Sequence, residues 1–184
     1  ADRFIIPVNA TARQVTGINQ IAGGLLTQLR VNGDIAIADG RLLSDNLKIR
    51  SDRINAKALL VGDIDKGVYT TALNGKLDGF QVNSVGLFNV VADVDIETKR
   101  GRGYALVGTV KAHSTRLFCQ GFQNFLGGQM FVNAGIRYGN NGILQITRAS
   151  LVSPLFRLNS GDGTYVSNGG RVLFNGQGYS NQYG

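Results

Sequence analysis

Apolar and polar side chains alternate along most of this chain with a period of two, the signature of half-buried β-strands. Leu29, Val31, Ile35 and Ile37 share one face, and Arg30, Asn32 and Asp34 the other. Leu47 and Ile49 alternate with Lys48 and Arg50, and Ile54, Ala56, Ala58 and Leu60 with Asn55 and Lys57. Tyr69, Thr71 and Leu73 continue the pattern. Farther on, Val90, Ala92, Val94 and Ile96 are set against Val91, Asp93, Asp95 and Glu97, and Leu106, Val110 and Ala112 return against Lys111. Met130, Val132, Ala134, Ile136 and Tyr138 alternate with Phe131, Asn133 and Arg137, followed by Leu144, Ile146 and a strand around Phe156. Asp39-Gly40, Asp65-Lys66-Gly67, the basic run from Lys99 to Gly103, Asn140-Asn141-Gly142 and Asn168-Gly169-Gly170 supply turns. Such spacing leaves little room for crossover helices, so it predicts an antiparallel meander of about a dozen strands. Phe4 to Val8 is a further strand, confined to an edge or an end by Pro7.

Two stretches depart to the helical period. Ile18, Ile21, Ala22, Leu25, Leu26 and Leu29 predict a short amphipathic helix over about 16–29. Its Gly23-Gly24 pair would cost about 2 kcal/mol against alanine in a helix interior, and it reads as the pivot into the sheet. Phe118, Phe122, Phe125 and Leu126 predict a second helix over about 117–127, followed by Gly127-Gly128. Helix, strands and turns thus recur over 18–75 and 118–176, each copy ending in an Asn-Gly pair at Asn74-Gly75 and Asn175-Gly176. A degenerate internal repeat of this kind makes the whole of 1–184 one β-rich segment of a larger, repetitive protein extended along one axis.

Each dry face needs a cover. Two short helices cannot cover a dozen strands, so the sheet either closes as a sandwich or barrel or curls into a trough with an uncovered apolar lining. Periodicity alone favours closure, because large exposed apolar patches are rare without a ligand.

Composition narrows the functions. The 26 glycines and two prolines suit strands and tight turns. The charge of +7 is spread singly through the strands, as at Lys48, Arg50, Lys57 and Arg137, and no aromatic-plus-basic module accompanies it; nucleic acid is not an expected partner. No apolar run approaches the roughly 20 residues of a spanning helix. Cys119, the only cysteine, forms no internal disulfide, and with His113, the only histidine, it makes no zinc site. Among Leu117, Phe118 and Phe122 the thiol is expected to be buried and inert. Gly62-Asp63-Ile64-Asp65 and Gly161-Asp162-Gly163 read as turns, not calcium loops. His113 has no triad around it, and no phosphate-binding glycine loop is present. The chain reads as a non-enzyme that uses no metal or cofactor.

The run Val15 to Leu26, VTGINQIAGGLL, resembles a segment of alphaproteobacterial TamB-like proteins. Asp39-Gly40-Arg41-Leu42, then Leu47-Lys48-Ile49-Arg50-Ser51-Asp52, the Val68-Tyr69 strand and Phe125-Leu126-Gly127-Gly128 follow in the same order as in that family. The resemblance covers most of 10–184. It implies membership of the AsmA-like, bridge-type lipid-transfer superfamily, and a fold that is mainly β: an extended antiparallel sheet curled into a trough, or β-taco, lined with apolar side chains. It further implies a periplasmic location, anchored to the inner membrane through a segment absent from this chain, and a barrel partner of the TamA type in the outer membrane. The implied functions are phospholipid conduction between the membranes and assistance to outer-membrane protein assembly. No catalytic residues come with it. On alternation, the lipid-facing positions are Val31, Ile35, Ile37, Ile54, Leu60, Leu73, Val90, Val94, Leu106, Val110, Val132, Ile136, Ile146 and Phe156. A chaperone-like scaffold that pairs its edge with nascent strands, and a closed structural solenoid or sandwich, are the alternatives.

Overall fold

A computed structural model describes residues 3–15, 26–101, 103–166 and 171–181. It contains eleven strands: β1 Phe4–Val15, β2 Leu26–Ala38, β3 Arg41–Arg50, β4 Ile54–Asp63, β5 Val68–Val82, β6 Gly86–Lys99, β7 Gly103–Leu117, β8 Phe131–Gly139, β9 Ile143–Val152, β10 Phe156–Val166 and β11 Arg171–Ser180. Each pairs antiparallel with the next, so the sheet order is the chain order. The sheet curls but does not close, leaving β1 and β11 as two edges. Pro7 sits on the β1 edge, where its missing N–H breaks no ladder.

The open edges decide between the two architectures that alternation allows. A sandwich or barrel would bring distant strands together, but among the described residues every extensive contact between strands joins neighbours in sequence. The meander forms because its turns carry the residues they require. Asp39 and Gly40 both take positive φ, 49° and 70°, the pairing that matches strand twist in a two-residue hairpin.

One helix lies among the described residues, α1 from Gln120 to Leu126, inside the predicted 117–127. It starts after Cys119 and ends at Gly127, whose φ of 74° is the left-handed stop that glycine takes without strain. The other expected helix is corrected in part. Leu26 to Leu29 belong to β2 and pair with β1 through Val15↔Leu26 and Ala12↔Leu29. Ladder bonds to an adjacent edge strand outweigh the helical spacing of these leucines, and residues 16–25, with Gly23-Gly24, lie outside the described residues. Asn74-Gly75 and Asn175-Gly176 lie within β5 and β11, not at turns, and the Asn168 to Gly170 turn is outside the described residues.

Candidate functional site

Antiparallel partners point to the same side of a sheet, so the pairing register gives each face directly. One row runs Val31, Ile49, Ala56, Gly75, Ala92, Val110, Ala134. A second runs Ile54, Leu77, Val90, Ala112, Val132, Leu151, Leu158. A third runs Leu47, Ala58, Leu73, Val94, Gly108, Ile136, Ile146, Gly163. A fourth runs Ser44, Leu60, Thr71, Ile96, Leu106, Tyr138, Leu144. Ile35 and Ile37 join the same side from β2, opposite Ile6 and Phe4, and Phe156 joins it two residues before Leu158.

All fourteen predicted positions therefore share one face. Val94 is buried and the other thirteen are half-buried. A face packed under a second layer would bury its large side chains completely. Here the fully enclosed positions along the rows are mostly small, such as Ala56, Ala58, Ala134 and Ala149, which their own neighbours shield. Aromatic rings lean over glycines on adjacent strands: Tyr69 lies against Gly62, and Phe174 against Gly161 and Gly163. Among the described residues, no second layer covers most of this face.

At one end it is covered. Phe88, Leu117, Leu126 and Met130 form a buried cluster, with Phe122, Phe125, Val90 and Phe156 packed around it. Leu126 is 1% exposed, and the Phe125 and Phe156 rings stand 5.0 Å apart. Ser114 is buried there, its Oγ accepting the Met130 N–H at 2.9 Å. Helix α1 and its flanks thus cap the lining where β7 passes to β8.

The lining positions chosen on alternation omit Leu47 and Phe88, which keep phase with Ile49 and Val90, and miss Phe80, Leu117 and Leu151, where the dry face changes parity within the strand. In β3 it runs Leu42, Ser44, then Leu47, Ile49, with Asp45 and Asn46 as the irregularity. In β5 it passes from Leu77 to Phe80, with Gly79 at φ 68°. In β9 it passes from Ile146 to Ala149, with Arg148 at φ 50°. These are β-bulges, each adding one residue and bending its strand. The signal was legible: an apolar series slips by one residue across a turn-forming or polar pair. Side-chain bonds hold the slips in place. Asn46 Oδ1 accepts the Asp34 N–H at 2.8 Å, Asn89 Oδ1 the Gly79 N–H at 3.1 Å, and Asp162 Oδ1 the Arg148 N–H at 2.8 Å.

No family model, curated protein or solved structure matches the chain.

The remaining candidates resolve plainly. Asp63 serves its turn, accepting the Lys66 N–H at 2.9 Å and facing the Lys66 ammonium at 3.2 Å. The Lys66 N–H, ahead of that ammonium and of Arg41, holds the Asp63 carboxyl below its ordinary range. His113 stacks on Phe131 with centroids 5.9 Å apart, on the face opposite Ser114. Among the described residues no three His, Cys, Asp or Glu side chains group as metal ligands. A cleft of about 890 Å³ lies beside α1, lined by Ser114, Arg116, Gln120, Gln123 and Gln129. Its amides are already engaged: Gln123 donates to the Leu117 carbonyl at 2.9 Å, and Gln129 to that of Ser114 at 2.7 Å. Cys119 corrects its expectation, because the thiol is exposed. It precedes the helix in extended conformation, while Phe122, Phe125 and Leu126 turn the helix's apolar side to the sheet.

Proposed function

We propose that this chain is a segment of an apolar trough that conducts phospholipid between two membranes, as its motif order suggests for a TamB-like protein of the bridge-type lipid-transfer group. One observation carries the reading: an unclosed sheet presents several parallel apolar rows, half-buried and capped only at the α1 end among the described residues.

The energetics suit that role. Each acyl CH₂ hidden from water is worth about 0.8 kcal/mol, so a chain of roughly 16 carbons resists crossing an aqueous gap by on the order of 13 kcal/mol. A lining without polar specificity groups removes most of that cost and leaves the headgroup in water. Bulges bend the strands and so fold the sheet about an axis that crosses them, which directs the groove along the rows. Location in the periplasm and a barrel partner in the outer membrane belong to the same proposal. No catalytic role is assigned.

The test is solvent extraction of the purified chain followed by mass spectrometry, with a photocrosslinker at Ile136 and another at Val107 on the opposite face. Phospholipid crosslinked at Ile136 and absent at Val107 is expected. Equal labelling at both positions, or no lipid at all, refutes conduction along this face. A second reading has its own support: Phe4 is 63% exposed on the unpaired β1 edge, which suits strand addition by unfolded outer-membrane barrels. That role predicts peptide binding unaffected by charge placed in the lining.

A further inference from the structure

The face opposite the trough carries its own pattern. Arg30 lies directly opposite Arg50, Arg50 opposite Asn55, Asn55 opposite Lys76, Lys76 opposite Val91 and Val91 opposite Lys111. In the adjacent row Asn32 faces Lys48, Lys48 faces Lys57, and Lys57 faces Asn74. Charges that look scattered along the chain are thus collected by the register into two neighbouring rows, the longer spanning five inter-strand gaps, about 24 Å, and the shorter three. All six cations are exposed, and none has a carboxylate within 4.0 Å among the described residues. Asp34 stands at the margin of the band, and Asp93 continues the second row on β6, opposite Asn74.

Two of these pairings, Arg30 with Arg50 and Lys48 with Lys57, set like charges directly across from each other. That arrangement destabilises a sheet, and a single acidic residue at either position would relieve it. The band therefore calls for an anionic partner outside the chain. At the same end and on the same face, Phe131 (54% exposed) and Val152 (40%) form an exposed cross-strand pair, and Val91 lies within the band itself. Aliphatic side chains among cations suit the boundary between headgroups and acyl chains. They offer nothing to nucleic acid, and the Phe131 ring already stacks on His113.

We propose that this cationic band is a docking surface for an anionic phospholipid bilayer, which would lay the outer face of the trough against a membrane. The inference does not depend on lipid occupying the trough. In a flotation assay the chain should bind vesicles of phosphatidylglycerol mixed with phosphatidylcholine and ignore phosphatidylcholine alone, with affinity falling as salt rises. Removing a cation should weaken partitioning about five-fold, so K48E/R50E/K57E should lose on the order of 100-fold or more. R41E/R100E/R137E changes the net charge equally at exposed positions outside the docking surface and should stay within a few-fold of wild type. K57E alone gives a readout that a structural role would not produce: weaker vesicle binding with unchanged or raised thermal stability, because it places a carboxylate opposite Lys48. The proposal is overturned if both triple variants lose binding equally, if neutral vesicles bind as well as anionic ones, or if a short DNA duplex binds as tightly as the anionic vesicles at equal phosphate. Unchanged co-purifying lipid in K48E/R50E/K57E would keep a failure here separate from a failure of the trough.

Discussion

Placing a charge on the lining distinguishes an open trough from a closed core by magnitude alone. Ile136 lies in the third row between Gly108 and Ile146 and is half-buried. Full burial of an isoleucine side chain is worth about 1.5–3 kcal/mol, so a half-buried one contributes about 1–1.5 kcal/mol. In I136R the arginine stem recovers part of that contact while its guanidinium reaches water in the open groove, leaving a net cost of about 1 kcal/mol. Leu126, 1% exposed in the last turn of α1 where the helix packs on the sheet, is the matched covered site. An unpaired charge there should cost at least 3–5 kcal/mol, enough to detach the helical cap or unfold the chain. Urea unfolding followed by circular dichroism reads both, since the chain has no tryptophan. I136R should shift the midpoint slightly with an unchanged slope, and L126R should lose most of the transition. If I136R is as damaging as L126R, the face is covered and the trough is wrong. If it folds but carries photocrosslinked phospholipid as wild type does, the groove is open and lipid does not pass Ile136.

Three further outcomes follow from the geometry. Cys119 should react with a maleimide in the native state at a rate close to that in urea, and protection by more than about ten-fold would contradict its exposed place ahead of α1. Valine at Gly79 must adopt φ near 68°, at a cost of roughly 1–2 kcal/mol in chemical unfolding, and an unchanged midpoint would show that the bulge is not held in this form. Because the folded pKa of Asp63 lies below the ordinary 3.8, its contribution to the β4–β5 turn is complete above that value and is lost as pH falls through the lower folded value. Amide exchange at Lys66 should therefore accelerate only below about pH 4 in wild type, and D63N should show no such step.

Much of this was legible from residues alone. The period of two, the Asp39-Gly40 turn and the edge position of β1 marked by Pro7 are local properties, written within a few residues of chain. So were the faces: all fourteen chosen lining positions fell on one side, because pleating assigns sides wherever no bulge intervenes. Bulges are where this broke down: the apolar series visibly slips by one residue at Asp45-Asn46 and Gly79, but only the partner strand shows that the slip keeps both halves on one face. The first helix was misread in its last turn for a related reason. Leu26 and Leu29 have helical spacing, but β1 offers them ladder bonds that no local pattern can reveal.

Sequence by itself determined the strands, their order and the apolar identity of one face, all consequences of steric and hydrophobic preferences that act within a strand. Only the tertiary structure decided that the sheet stays open, that α1 caps one end, and that six dispersed cations stand together. Each of those depends on register between residues far apart in the chain, and register is a property of paired strands that no single strand carries.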